Sequence, residues 1–334
     1  MPQPLKAAAR KLIPDAAYHQ ASAIWRFRGR FTWALKIAMK KGRPETLVYF
    51  GISPGDDLLC TAVLHELKNR NHKKIWMMSN YPELFNGNDN VDLVVPAEDR
   101  FRDYATLLGG KYQFLQYAAV DTEKDMSVPP ARHIIAELCA SAKIKGQIAL
   151  RPYFYLTTAE KESGAWAKGM IAIQSSGLAA KLPMRNKQWF PERFQEVVNH
   201  LKNDFQFVQL GSAGDPPLKD VTDLRGKTNI RETAAVLANC RLHIGSVGFL
   251  MHLARATECP AVIVFGGREA PWQSGYSCNI NLYSAVPCAP CWLWNKCDHE
   301  RICMDNIMAR DAIDAIGKIL ANQRNPLPVD SLLI

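Results

Sequence analysis

What this 334-residue chain lacks closes off several classes of protein. It has no run of about 18 consecutive apolar residues, so no helix of ordinary length is expected to cross a bilayer. Its first residues, MPQPLKAAARKLIPDAAYH, include early cations but no apolar stretch of about 7–15 residues after them. A signal peptide is therefore not expected, and the cytoplasm is the expected location. The turn GISPG after the first apolar run is not followed by Lys-Ser/Thr, and it lacks the spacing of a dinucleotide fingerprint; this argues against a P-loop and against an epimerase built on GxGxxG. Internal repeats and low-complexity tracts are missing as well.

Acid is scarce at one end. Residues 1–43 hold ten Lys and Arg against a single carboxylate, Asp15, while the rest of the chain carries 31 cations and 31 acids. The whole net charge of +9 therefore sits in an N-terminal arm. An anionic partner is implied for it: a lipid surface, a phosphorylated glycan or nucleic acid. Within the arm, AIWRFRGRFTWALKIAMKK (23–41) interleaves Trp25, Phe27, Phe31 and Trp33 with cations. Rings at headgroup depth beside Lys and Arg suit a segment lying on an anionic membrane. A helical hairpin packed on the next domain, with its cations merely solvated, is the alternative. No recognised nucleic-acid module accompanies the charge, so nucleic acid is not the expected partner.

At 48% hydrophobic and 22% charged residues, the chain has the balance of a folded globular protein. Its length suits two α/β domains better than one. After Gly42-Arg43-Pro44, apolar strands at 46–50, 74–78, 91–95 and 113–119 alternate with helices near 56–69 and 133–142. A second alternation has strands at 170–174, 205–211, 241–245 and 261–267, and helices at 191–203, 230–240, 249–257 and about 305–322. Such alternation implies doubly wound parallel sheets. The expected organisation is an arm (1–43), an N-terminal domain (44–165) and a C-terminal domain (166–334), with ligands in the cleft beyond the strands' carboxyl ends.

Four stretches there carry candidate chemistry. In GISPGDD (51–57), Asp56 and Asp57 fall at a helix start, where an acid caps free amides or serves as a general base. In QSSGLAAKLPMRNKQWF (174–190), Ser175, Ser176 and the cations Lys181, Arg185 and Lys187 surround a strand end, as a diphosphate cradle requires; solvated loop cations are the other reading. GSVGFLMHLARA (245–256) opens a helix whose free amides, around Ser246 and Gly248, face an anion, with His252 one turn in, as a ligand contact or a packed structural residue. FGGREAPWQSGY (265–276) adds Arg268 and Glu269 on the same sheet edge.

Nine cysteines complete the inventory. Cys60, Cys139, Cys240, Cys259 and Cys278 lie scattered in apolar contexts and read as reduced core thiols. Cys288-x2-Cys291-x5-Cys297-x5-Cys303 is different: four thiolates at that spacing suit a structural zinc or iron, with His299 able to replace one ligand. Reduced loop thiols are the alternative.

Taken together, these residues resemble glycosyltransferase family 9, the bacterial ADP-heptose:lipopolysaccharide heptosyltransferases and their relatives. The resemblance runs from about 46 to 310. It rests on PGDDLL, KQWFPERF (187–194), LGSAGD (210–215), DLRGKTNIRETAAVLANC (223–240), GSVGFLMHLARA, CPAVIVFGG and the tail CAPCW…KC…CM. It implies a GT-B fold: acceptor on the N-terminal domain, nucleotide sugar on the C-terminal one, and inverting transfer with no catalytic metal. It makes Asp56 the base, and Ser175, Ser176, Lys187, Asp215 and His252 donor-side residues, to which the stretches above add Ser246, Gly248, Arg268 and Glu269 as donor-side candidates. The implied partners are a nucleotide-sugar donor and a glycan or lipid-linked glycan acceptor. One position departs: where the family has an aspartate on the donor sugar, this chain has Val247, which cannot accept a hydroxyl's hydrogen bond. Either another residue such as Glu269 holds the sugar, or the chain is a non-catalytic binder on the same scaffold.

Overall fold

The computed structural model describes residues 20–21, 37–51, 53–322 and 326–334. The aromatic part of the arm, Trp25 to Trp33, lies outside the described residues. Helical residues 37–41 lead into the first strand. Ile37 and Ala38 pack there on a cluster that includes Leu47, Trp76 and Phe101.

The N-terminal half is built on β1 (Thr46–Tyr49), α1 (Pro54–Asn69), β2 (Ile75–Met78), β3 (Leu93–Val95), α2 (Asp99–Leu107) and β4 (Lys111–Phe114). The four strands are parallel in the order β3-β2-β1-β4. The chain thus leaves β1 toward one side of the sheet and later returns to the other, which puts the switch point between β1 and β4. Next come a small antiparallel hairpin of β5 (Val120–Asp121) and β6 (Met126–Ser127), then α3 (Ile134–Ser141), β7 (Gln147–Ala149) and α4 (Thr158–Ser163). The strand expected at 113–119 is shorter and earlier. Leu115 N–H still reaches Tyr49 O at 2.8 Å, but beyond it the chain turns away and carries Tyr117 across the sheet edge.

The C-terminal half has β8 (Ile171–Ile173), α5 (Pro191–Leu201), β9 (Phe207–Gln209), β10 (Thr222–Asp223), α6 (Ile230–Asn239), β11 (Leu242–Ser246), α7 (Phe249–Ala256), β12 (Ala261–Gly266), α8 (Pro271–Ser274), β13 (Ile280–Tyr283), α9 (Ile302–Asp305) and α10 (Ala309–Ala321). Its six parallel strands run β10-β9-β8-β11-β12-β13, with the switch point between β8 and β11. The four inner strands β9, β8, β11 and β12 are largely apolar and buried on both faces, as a sheet covered by helices on each side demands. After α10 the chain returns to the first half, where β14 (Ser331–Leu333) pairs antiparallel with β7.

The two halves are closed on each other. One buried cluster runs from Leu58 and Leu59 on α1 to Val247, Leu250 and Met251 on the β11–α7 unit. α1 packs directly on α7, with Gly55 beside Phe249, where a Cβ would stand in ordinary van der Waals contact, 3.6 Å from its Cα. No described helix is long and apolar enough to cross a membrane.

Candidate active site

Both switch points open onto the interface between the halves. On the N-terminal side the β1–α1 turn is over-determined. Gly51 has φ +73°, and a Cβ there would lie 2.0 Å from the Tyr49 ring, so only glycine fits. Ser53 caps α1, accepting from the Asp56 amide at 3.3 Å, and Pro54 opens the helix. The two acids that follow have separate fates. Asp57 is fully buried, and its oxygens take the Gly51 amide at 2.9 Å and the Ser79 hydroxyl at 2.5 Å. It ties the turn to the end of β2. Burial lifts its pKa to about 6 against those two bonds.

Asp56 points into the cleft. Ser53 Oγ donates to its Oδ2 at 2.8 Å and Tyr117 OH to its Oδ1 at 3.3 Å. Burial raises its pKa, offset in part by Ser53, by the Lys187 ammonium across the cleft and by Tyr117. A desolvated carboxylate opposite a cation has the character of a general base.

On the C-terminal side, Lys187 comes from a 3-10 turn, Arg185–Lys187, just before α5. Its Nζ lies 2.6 Å from Glu269 Oε1. Arg268 pairs with the same oxygen, and Ser274 Oγ donates to Oε2 at 2.6 Å. Burial alone would raise the Glu269 pKa; the Lys187 and Arg268 charges and the bonds from Lys187 and Ser274 outweigh it and hold the group at about 2. For Lys187, burial outweighs the attraction of Glu269 and lowers the pKa. Glu269 is thus engaged as the carboxylate that aims Lys187.

The remaining candidates divide by how far their polar atoms are satisfied. Ser175 is fully buried; its hydroxyl donates to Pro216 O at 2.6 Å and accepts from Gln209 Nε2 at 2.9 Å. In this arrangement it braces the loop that carries Asp215. Ser176 Oγ bonds Gln188 Oε1 at 3.2 Å and takes the Leu178 amide at 3.0 Å. By contrast, Ser246 Oγ is buried with no hydrogen-bond partner among the described residues, a costly state unless a ligand supplies one. Asp215 Oδ1 has no well-formed bond among them either, although the Ala179 amide and the Gln174 side chain stand near enough to oppose the rise that burial imposes on its pKa. Gly248, before α7, leaves open space where a Cβ would stand, and α7 has no side-chain cap. Its first amides are therefore available to an anion. His252 bonds the Tyr276 hydroxyl at 2.6 Å through Nδ1, and burial first, then Lys187, pushes its pKa to about 3. It is a neutral, packed residue here. Val247 is buried in the core.

The cysteine segment lies against this site. Trp292 is buried: its indole N–H donates to Gln273 at 2.8 Å, and the Arg268 guanidinium stacks 4.8 Å over its ring. Asn186 and Arg185 bond the 293–296 backbone and Asn295, fixing the turn that carries Lys187. From the other half, Asp125 accepts the Asn295 and Lys296 amides at 2.8 Å each, and Ser127 accepts the Trp294 indole at 3.0 Å. The loop is an interdomain clasp. The expected four-thiolate metal site is not assembled in it. The Cys288, Cys291, Cys297 and Cys303 thiols are free, and among the described residues no three His, Cys, Asp or Glu side chains are grouped to hold an ion. The thiols share one neighbourhood, since Cys291 feels the charges of Cys288 and Cys297, and Cys303 those of Cys291 and Cys297, but their backbone contacts do not turn them onto a common centre. Cys291 N–H is bonded to Gly267 O, Cys297 Sγ accepts the Arg301 amide, and Cys303 sits on α9 against Gly267.

Sequence reasoning missed Tyr117, Ser53, Asp125 and Trp292. For Tyr117 a signal existed: the loop after the strand paired beside β1 must flank the β1–α1 turn. A groove of about 960 Å³, lined by Lys168, Arg241, Asn279 and Lys318 among others, lies at the amino ends of β8, β11, β12 and β13, the opposite end of the strands from these groups.

Two facing Rossmann-like halves, with a buried carboxylate on one and a held lysine, orphaned polar atoms and an uncapped helix on the other, define a transferase of the GT-B class. The family model "Glycosyltransferase family 9 (heptosyltransferase)" matches residues 111–293. The chain belongs to that family and is a glycosyltransferase. The matched span holds every donor-side candidate and stops short of Asp56. No curated protein sequence matches the chain significantly. Among solved structures it is similar to E. coli ADP-heptose lps heptosyltransferase II (TM-score 0.61, 14% identity, 83% of this chain and 98% of that one). It is also similar to the family 9 glycosyl transferase from Veillonella parvula (0.58, 14%, 83% and 97%). A third is the iron-containing dodecameric glycosyltransferase TibC from enterotoxigenic E. coli (0.62, 16%, 84% and 76%). At these identities the likeness speaks to the fold.

Proposed function

We propose that the protein transfers heptose, or a related sugar, from an ADP-sugar to a lipopolysaccharide or other bacterial surface glycan, by inversion and without a catalytic metal. The observation that carries this reading is the meeting of Asp56, from one half, with the Glu269-held Lys187 from the other. Asp56 takes the proton of the acceptor hydroxyl as its oxygen attacks the anomeric carbon. The bond from that carbon to the diphosphate breaks, and its electron pair leaves with the nucleoside diphosphate. Lys187 and the first amides of α7 stabilise the departing charge, the electrostatic share of catalysis. Asp215 Oδ1 and Ser246 Oγ await donor hydroxyls or phosphate, and closure of the halves excludes water. The domains divide near 165, acceptor side first.

The finer placement is cytoplasmic, at the inner membrane face, with the basic arm as anchor. A structural zinc or iron at Cys288, Cys291, Cys297 and Cys303 rests on thiolate chemistry alone. As they stand the side chains do not fit an ion, and no step is routed through one.

The competing reading, a non-catalytic binder, rests on Val247, whose side chain offers no hydrogen bond. Asp56→Asn decides between them. The amide keeps the shape and cannot take the proton, so transfer should fall by at least about a hundredfold while ADP affinity and melting temperature hold. Turnover within about tenfold of wild type would remove Asp56 as base, and no turnover by the wild type on any ADP-sugar would favour the binder.

A further inference from the structure

We propose that Tyr117 is a positioning residue for the Asp56 base, its hydroxyl and that of Ser53 gripping one carboxylate oxygen each. The inference rests on the reading of Asp56 as base and adds a second N-terminal element to the machinery.

The topology makes the placement. β4 is hydrogen-bonded to β1 on the side away from β2, so the segment after β4 rises across the switch point from the β1–α1 turn. Leu115 prolongs the ladder by one residue and is buried, while the exposed Gln116 folds back through Nε2 onto Ala118 O. That bend delivers Tyr117, whose ring meets Phe50 edge-on at 5.4 Å. The ring contact asks only for an aromatic residue, and phenylalanine would satisfy it. The hydroxyl asks for something else, and it stands 3.3 Å from Asp56 Oδ1. That is long for an O–H···O bond, the length found in unliganded catalytic sites that tighten on binding.

Ser53 holds the other oxygen at 2.8 Å. Two donors on two oxygens fix the plane of the carboxylate, which a single bond leaves free to rotate. Each carboxylate oxygen has a second lone pair, so the grip leaves acceptor capacity for the substrate proton. The charged groups around Asp56 are Lys187 from the turn before α5, Asp57 on its own helix, and the Arg268–Glu269 pair beyond Tyr117. Cys60 and Tyr81 also feel its charge. Of these, Lys187 and the two hydroxyls favour the ionised form. A donor to the charged form lowers a carboxyl pKa, so removing the phenol must raise it.

The test is a carboxyl ¹³C titration of the full-length protein labelled at aspartate. The Asp56 resonance is identified by its loss in Asp56→Asn. Tyr117→Phe should raise the Asp56 midpoint by about one pH unit, a tenfold change in the proton equilibrium, and leave Asp57 in place. An unmoved Asp56 midpoint overturns the proposal without any substrate. In transfer assays with ADP-heptose and heptose-free lipopolysaccharide, the variant should lose about tenfold in kcat with KM for ADP-heptose within about twofold. The acid limb of its pH profile should move up with the titration. A uniform loss of rate with the limb unmoved marks a packing role and also overturns it. If Asp56→Asn transfers at the wild-type rate, the base reading fails whatever Tyr117 does to the titration, so the two failures are separable.

Discussion

Glu269→Gln keeps a side chain's shape and removes the charge that two cations share, the buried Arg268 and the half-buried Lys187. Lys187 Nζ stands 2.6 Å from Glu269 Oε1, Arg268 pairs with the same oxygen, and Glu269 and Arg268 are only 3% and 2% exposed. The Glu269 pKa is held at about 2 where an ordinary glutamate stands at 4.5. Burial also lowers the Lys187 pKa, so the Glu269 shift gives the direction and the magnitude comes from buried ion pairs in general, where removing one partner costs about 3 kcal/mol or more. Because the folded-state pKa is depressed, the stabilisation is fully present above about pH 4.5 and is lost as pH falls through about 2. At pH 7 the variant should therefore lose all of it. Unfolding a chain of this size releases roughly 0.7 kcal/mol/K of entropy at the midpoint, so the melting temperature should drop by about 4 °C. ADP should recover more stability in the variant than in the wild type, since its diphosphate supplies the anion that Lys187 and Arg268 have lost. Scanning calorimetry at pH 7, with and without ADP, reads both effects. A drop below about 1 °C would mean the pair is not the desolvated unit described. An ADP shift no larger than the wild type's would mean the diphosphate does not reach Lys187.

Protein prepared under reducing conditions should carry about one equivalent of zinc or iron if the loop thiols turn toward a common centre. Four freely titratable thiols and no metal would leave the loop as a hydrogen-bonded clasp alone. Vesicles containing anionic lipid should cosediment the full-length protein at low salt and release it at high salt, since each Lys or Arg near such a surface is worth about 1 kcal/mol. A chain lacking residues 1–43 should not bind them. Equal binding with and without the arm would locate the attraction elsewhere.

The parts of this architecture set by short-range periodicity were legible in the sequence. TLVYF, KIWMM and AVIVFGG read correctly as parallel strands. Strand pairing without a local signal was not legible. The contact of β14 with β7 joins residues more than 180 positions apart, and the β5–β6 hairpin has strands of two residues each. The stretch QFLQYAA misled because an apolar run reads alike in a strand and in a buried turn. Leu115 N–H still bonds Tyr49 O, but the next amide, Gln116 N–H, turns to Ser141 Oγ, a partner that only the fold brings there.

The site was legible as a set of residues but not as a set of relations. Asp56 and Asp57 are indistinguishable by type and position. What separates them is place: Asp57 is fully buried and ties the turn to the end of β2 through Gly51 and Ser79, while Asp56, held by Ser53 and Tyr117, faces the Lys187 ammonium from the other half. Ser175 carries the hydroxyl a phosphate cradle needs, yet Gln209 and Pro216 have already claimed it. The cysteine spacing suggested an ion, whereas the intervening residues Trp292, Trp294 and Asn295 make the contacts that join the two halves. Motif reading assigns chemistry to residue types, but what a buried polar group can do depends on how many of its hydrogen bonds the fold has left unspent. By that measure the free capacity of this site lies on Asp56, Asp215 Oδ1, Ser246 Oγ and the first amides of α7, which between them offer a base to an acceptor and contacts to a donor.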